Sequence, residues 1–405
     1  MNRDGSGTSW LPDAAPLRGQ MFSAGNWQFM THYNIFLRYN NQDLFKKGSR
    51  GGAKFDAPNM AMLMGQRLVG KQGLFHFGLM VSLDPLTVGG YGYPLLYQTG
   101  ESWQGKSLID RQHPHDLFSE VSVSFTQTLN KEMDAFIYFG YPGEPALGPV
   151  TFMHRPSGMD GPDAPIGHHW QDATHITFGV ATLGFRFQNL KLEGSSFTGR
   201  EPNENRYNFD KPLFDSYSAR LSWNPGKNWA LQASRGFIKS PEALIPKEDV
   251  TRTTASVNYA TELMPGAYLS SNLVWGENQV KNQVSAQSIG FETALDWSKT
   301  SIYTRYEWVE KSPAELGFVL ANGYYGALIR PNLYSINDLT LGINQSLFDI
   351  GSTKIYFGAQ STLTISPATL FELYGKHPIS GEIFIRAAPG LMLMHSKKNM
   401  GNMKM

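Results

Sequence analysis

The sequence predicts an all-β fold: an up-and-down antiparallel transmembrane β-barrel of about 16 strands (about 14–18), with short periplasmic turns and long extracellular loops. Three observations predict it. About sixteen stretches alternate apolar and polar side chains, as amphipathic strands do. The connectors between them alternate between roughly two to six residues and roughly ten to thirty or more. Tryptophans fall at the ends of the predicted strands.

Composition narrows the functional classes. The 405 residues carry 35 basic and 34 acidic side chains, a net charge of +1, so no strong field favours nucleic acid as a partner. Cysteine is absent, which removes thiolate metal sites and cysteine nucleophiles. No run of about 18 apolar residues exists, so the sequence predicts no membrane helix.

The chain divides into three predicted parts. Residues 1–26 form an extended segment that either enters the lumen or hangs in the periplasm. No secretory signal is visible there, and we interpret Met1 as the start of a mature or trimmed chain. Residues 27–394 form the barrel. Residues 395–405 form a Met-rich tail, which the strand order places in the periplasm.

The first predicted strand, Trp27 to Asn40, places Trp27 and Leu37 on an apolar face and His32 and Arg38 on a polar face. One face suits lipid and the other suits water. The same division recurs in later strands, with these apolar residues: Tyr217, Ala219, Leu221 and Trp223; Ala255, Val257 and Tyr259; Ile289, Phe291, Leu295 and Trp297; Leu339, Leu341 and Ile343.

Compact turns follow the descending strands at Gln188-Asn189, Asn224 to Lys227, Met264 to Gly266 and Ser298 to Thr300. In this arrangement four tryptophans lie at the periplasmic rim and two at the outer rim, as aromatic girdles do. They are Trp27, Trp223, Trp229 and Trp297, and then Trp275 and Trp308. The alternative is a large soluble sandwich or propeller, but no repeat of about 40–50 residues is present. We therefore predict a bacterial outer-membrane location, with lipid as a partner.

The strand residues that alternate with the apolar, lipid-facing ones are predicted to face the lumen. This pattern predicts a lumen wall of mixed charge, which argues against strong selectivity for anions or cations. The predicted lumen residues are His32, His76, Met80, Arg220, Arg252, Glu292, Arg305 and Glu307, with Glu120 and Asp338.

Two long outer loops, about 84–116 and 141–174, are unusually rich in histidine and aspartate. Imidazole and carboxylate are ligands for zinc or copper, and a carboxylate also orients an imidazole. The candidate metal ligands are His113, His115, Asp116, His154, His168, His169 and His175. The alternative is a purely structural network of hydrogen bonds that includes Arg111 and Arg155 and folds both loops inward.

Methionines form a second unusual group. Met60, Met62 and Met64 share one face of the second strand, and further methionines occur from Met392 to the C-terminus. Thioethers suit Cu(I), so the tail is a candidate metal-scavenging segment. For the strand methionines we favour the alternative of lipid-facing or packed residues.

Four segments are long and distinctive: VSLDPLTVGGYGYPLLYQTGE (81–101), LIDRQHPHDLF (108–118), PGEPALGPVTFMHRPSGMDGPDAPIGHHWQDATHITFGV (142–180) and DSYSARLSWNP (215–225). In them the chain resembles a poorly characterised family of bacterial outer-membrane and envelope proteins often associated with copper or heavy-metal resistance. The resemblance covers roughly residues 1–310. It implies an envelope location and a link to metals, but no reaction. The chain lacks the Met/His-rich N-terminal stretch common in that family.

These observations predict a non-enzymatic outer-membrane channel whose His-rich loops constrict the lumen, linked to metal (copper) handling or small-solute passage. A non-conducting barrel that binds copper or zinc is the alternative. A hydrolase would need a nucleophile beside a base. The candidate nucleophile is Ser119 or Ser122, and the candidate base is His115. No Gly-x-Ser-x-Gly motif supports it.

Overall fold

A computed structural model describes residues 3–317 and 333–392. Its strands close into one antiparallel barrel with sixteen positions in the wall, as predicted. The strands are β1 Gln20–Ala24, β2 Trp27–Gln42, β3 Gly52–Asp56, β4 Asn59–Val69, β5 Gly73–Val81, β6 Tyr93–Trp103, β7 Lys106–Gln112, β8 Phe118–Thr128, β9 Met133–Gly140, β10 Val180–Phe187, β11 Leu190–Phe197, β12 Ser216–Gly226, β13 Trp229–Ile238, β14 Val250–Met264, β15 Ala267–Val280, β16 Ala286–Trp297, β17 Thr300–Lys311, β18 Tyr334–Ile350, β19 Thr353–Ile365 and β20 Ile379–Pro389. The short helices are α1 Asp84–Thr87, α2 His168–Gln171 and α3 Phe371–Tyr374.

Two wall positions are composite. Strands β3 and β4 both pair with β2, and together they fill one position. The barrel closes where β2 pairs with β20 over Ile35–Asn41 and with β1 over Trp27–Thr31. The two ends of the chain therefore share the closing position. Strands β6 and β7 are not part of the barrel wall. They pair with each other as a hairpin within the loop between β5 and β8.

The alternation of side chains matches the predicted register. In β12, Tyr217 and Leu221 are 64% and 48% exposed on the outer face, whereas Arg220 is 1% exposed on the inner face. The hairpins of Gln188-Asn189 and Ser298-Lys299 join antiparallel neighbours. Trp223 and Trp297 lie exposed near the short turns, as an interfacial girdle requires. No helix in the described segments is long and apolar enough to cross a membrane.

Four outer loops matter for the site, and we name them L2 (82–117), L3 (141–179), L4 (198–215) and L5 (239–249). L2 contains α1 and the β6–β7 hairpin, and L3 contains α2. The N-terminal segment also contacts the inner wall. Arg220 of β12 donates to Thr8 Oγ1 at 2.8 Å, and Asn224 Nδ2 donates to the Leu11 carbonyl at 3.0 Å.

The core of the protein lies inside the barrel. One buried cluster joins Tyr97 of β6 and Trp170 of α2 to Val309 on the inner wall. Another joins Met60, Met62 and Met80 to Phe152 and Met153 of L3. These strand methionines therefore face inward and pack against a loop. Residues 393–405, which include the predicted Met-rich tail of residues 395–405, lie outside the described residues.

Candidate functional site at the outer mouth

Loop L3 is fixed to the inner wall by buried ion pairs. Arg155 of L3 donates through Nε and Nη2 to both carboxylate oxygens of Glu292 on β16, at 2.9 and 2.8 Å. Its Nη1 donates to Asp172 Oδ2 at 2.8 Å. A paired guanidinium and carboxylate stay charged when buried, so this contact joins two parts of L3 to each other and to the wall.

Further wall strands hold L3 in the same way. Arg38 of β2 donates to Asp163 Oδ1 at 2.5 Å, and Arg386 of β20 donates to Asp160. Asn344 of β18 donates to the Asp160 carbonyl at 3.0 Å. L3 is therefore bound to wall strands on several sides of the barrel.

Five of the predicted histidines meet in a closed cluster, which we call the five-histidine cluster: His113, His115, His168, His169 and His175. Around the cluster, neighbouring ring centroids lie 5.3 Å (His169–His168), 5.1 Å (His168–His175), 5.6 Å (His175–His115), 6.5 Å (His115–His113) and 5.9 Å (His113–His169) apart. L2 supplies two of these residues and L3 supplies three. The sequence placed them in separate loops, and the fold brings them together.

Carboxylates lie beside four of these imidazoles. His115 Nδ1 lies 2.9 Å from Asp84, and His168 Nδ1 lies 2.5 Å from Asp172. His113 Nε2 lies 3.2 Å from Glu101. The fourth, His169 Nδ1, lies 3.6 Å from Glu201. Such partners fix the ring orientation and tautomer of histidines that bind metals, although they also occur in structural networks.

Burial sets the charge of the cluster. It lowers the pKa of His169 to about 3 and keeps the pKa values of His168 and His175 below their ordinary range. Burial would raise the pKa of Asp172, but the His168 imidazole and the Arg155 guanidinium hold it below its ordinary value. At neutral pH these three histidines are thus neutral, the form that binds metal ions.

The remaining predicted ligands lie elsewhere. His154 is next to His32, with ring centroids 5.7 Å apart, beyond the five-histidine cluster. Asp116 accepts a hydrogen bond from Arg206 Nη1 at 3.2 Å. Burial raises the pKa of Asp116 to about 7 against the opposing effect of Arg206.

The predicted lumen residues that carry charge make contacts inside the barrel. Arg252 Nη2 donates to the His169 carbonyl at 2.6 Å, and Arg305 Nη1 donates to the Asp163 carbonyl at 2.9 Å. Glu307 accepts from the Gly167 amide at 3.1 Å. Met80 packs in the methionine cluster, and His76 on β5 is partly buried opposite Ser124.

Sequence reasoning missed three carboxylates at the outer mouth: Glu101, Glu201 and Glu242. Burial raises the pKa of Glu101 to about 7, and it raises those of Glu201 and Glu242 as well. Each lies in a different loop, L2, L4 or L5, and none is next to a histidine in the sequence. The only signal was that L4 and L5 open at the same rim as the His-rich loops.

The serines of the hydrolase alternative use their hydroxyls elsewhere. Ser119 Oγ donates to the Asp116 carbonyl at 3.0 Å, and Ser122 Oγ donates to Glu120 Oε1 at 2.5 Å. His115 is instead directed to Asp84. This arrangement does not support a serine–histidine pair.

Solved structures resemble this fold at low sequence identity. OmpF of Salmonella typhi, solved in complex with daunomycin, matches with a TM-score of 0.53 and 8% identity, over 91% of this chain and 100% of that chain. An anion-selective porin from Comamonas acidovorans matches with a TM-score of 0.50 and 9% identity, over 89% and 99%. The chain has a porin fold. No protein-family profile matches it, and no curated protein sequence does.

The fold and the surface together give the location. A closed barrel with outward apolar side chains, such as Leu183 and Leu341 at 69% and 60% exposure, needs lipid around it. Barrels of this type with even strand number occur in the bacterial outer membrane. The protein is therefore a porin-like outer-membrane barrel.

Proposed function

We propose that this barrel is a channel for small solutes that is closed at rest, because L2, L3 and the N-terminal segment constrict its lumen. One observation carries the proposal. Charged side chains on the inner wall are almost fully buried: Arg38, Arg220 and Arg386 are each 1% exposed.

The physical argument follows from barrel size. Barrels with 16–18 strands leave an aqueous channel, in which inward charges contact water. Here the inward arginines contact carboxylates, hydroxyls and carbonyls of loops and wall instead. Passage of a solute therefore requires these contacts to separate.

Single-channel recording in planar bilayers tests the closed state. Wild-type barrels should show few openings, because Asp160 and Asp163 hold L3 against wall arginines. The D160N/D163N variant should open more often, since it removes the charges that pair with Arg386 and Arg38. D349N, which changes an exposed aspartate paired with Lys354, is the matched control and should behave like wild type.

Two outcomes would change the proposal. Steady steps of open-porin size from wild type would contradict a closed lumen. Folded barrels with no openings in wild type and in D160N/D163N would favour the non-conducting alternative.

A specific observation favours metal handling as a second function. The five-histidine cluster places imidazoles beside carboxylates at the outer mouth, and imidazole binds both Cu²⁺ and Zn²⁺. Copper or zinc is the proposed cargo or ligand, and the family resemblance points the same way.

Elemental analysis of purified barrels tests this second function. The H113A/H115A variant should retain less copper or zinc per barrel than wild type after exposure to either metal. The H76A variant removes a histidine of the lumen wall outside the cluster and should retain the wild-type amount. Equal metal content in H113A/H115A and wild type would leave the cluster with a structural role only.

A further inference from the structure

Three outer loops bring one imidazole and two carboxylates to a common point. His169 of L3, Glu201 of L4 and Glu242 of L5 each offer one ligand atom, and these atoms all lie within 4.8 Å of one another. This is the single group of three or more such ligands in the part of the chain that the structure describes. The five-histidine cluster, in contrast, brings no three nitrogens this close among the described residues.

Two side-chain atoms of these three residues are buried without hydrogen-bond partners in the described residues. His169 is 7% exposed and its Nε2 makes no hydrogen bond, and Glu201 Oε2 also lacks a partner. A buried polar atom that is not satisfied costs on the order of 1–3 kcal/mol. A bound ion is one of the explanations for such atoms.

Two nearby cations form no ion pair with these carboxylates in the described residues. Arg252 acts on Glu201 electrostatically, but its guanidinium donates to the His169 carbonyl and to Asn278 Oδ1. Lys311 donates to Thr99 Oγ1 at 2.8 Å. Glu201 and Glu242 therefore have no directly bonded cation among these neighbours.

The backbone of L2 leaves room for the imidazole. Gly100 has a φ of +113°, and a Cβ there would lie 2.4 Å from His169 Cε1. A side chain at this position would displace the ring. The glycine at position 100 thus leaves the space that the His169 ring occupies.

We propose that His169, Glu201 and Glu242 form a binding site for a divalent first-row cation, for which Zn²⁺ is the probe. One imidazole nitrogen and two carboxylate oxygens are zinc ligands, and three protein ligands leave a further position for water or a transported molecule. This proposal rests on the metal-handling function proposed above and names a particular binding site for it. The site shares only His169 with the five-histidine cluster.

Titration of the full-length, chelator-treated barrel in detergent with ZnCl₂ tests the site. E201Q/E242Q should bind Zn²⁺ at least tenfold more weakly than wild type, because each glutamine keeps the shape but removes the charge. H113A/H115A retains all three ligands and should keep this site. Unheated gel migration confirms that each variant remains a folded barrel.

The two metal proposals fail in different ways. Unchanged Zn²⁺ affinity and stoichiometry in E201Q/E242Q would overturn this site, even if H113A/H115A had lost metal. X-ray absorption of Zn²⁺ bound to H113A/H115A needs no change to the site itself. One imidazole with oxygen donors is expected there, and three or more imidazoles would contradict the proposal.

Discussion

Individual charged residues decide how the interior is filled. Arg155 is fully buried and donates to Glu292, Asp172 and the Val150 carbonyl. Without it, the buried carboxylates of Glu292 and Asp172 would lose the cation that both of them contact. Removal of one partner from a buried ion pair typically costs about 3–5 kcal/mol, because the other charge stays desolvated.

We therefore expect R155M to lower the free energy of unfolding by about 3–5 kcal/mol, or to release L3 from the wall. Urea unfolding from lipid vesicles measures the first effect, and protease sensitivity of L3 measures the second. R235M is the matched control, since Arg235 is exposed and bonds only a threonine hydroxyl in the described structure. If R155M and R235M were equally stable and equally resistant, the Arg155 contacts would not hold L3.

The face of the strand on which a side chain lies was predictable. Which side chains from different loops meet was not. Arg220 and Glu292 were assigned to the lumen because a strand alternates its faces with a period of two. The approach of His113 to His169, or of Glu201 to Glu242, depends on how four loops fold over one rim. No local pattern encodes that packing, so only the histidine-rich composition of L2 and L3 pointed to the site.

The long wall strands were predictable from the sequence. The two wall positions that are each filled by two strands were not. β12 and β16 carry alternating patterns. β16 ends at its predicted turn, whereas β12 continues through Asn224 to Gly226, into the predicted turn. The closing position is divided between β1 and β20, and β1 is only five residues long, too short for a clear pattern. β6 and β7 escaped prediction as a hairpin because their burial comes from L3 and not from lipid.

The two rims of the barrel differ in the length of their connections. Short turns such as Lys299 lie at one rim, and the loops that hold the metal ligands lie at the other. A bacterial outer-membrane barrel has short turns on the periplasmic side and longer loops outside. The five-histidine cluster and the site of Glu201 and Glu242 should therefore face the medium, where an external cation meets them before it reaches the lumen.

The absence of cysteine in the chain allows a direct test of this direction. Lys281 is exposed in the loop between β15 and β16, and Lys299 is exposed in the turn between β16 and β17. In intact cells, a membrane-impermeant maleimide should label K281C and spare K299C, while permeabilised cells should show labelling of both. The pair is matched because both changes replace an exposed lysine beside the same strand. Labelling of K299C but not K281C in intact cells would invert the barrel and place both candidate metal sites in the periplasm, where they would meet cations leaving the cell envelope.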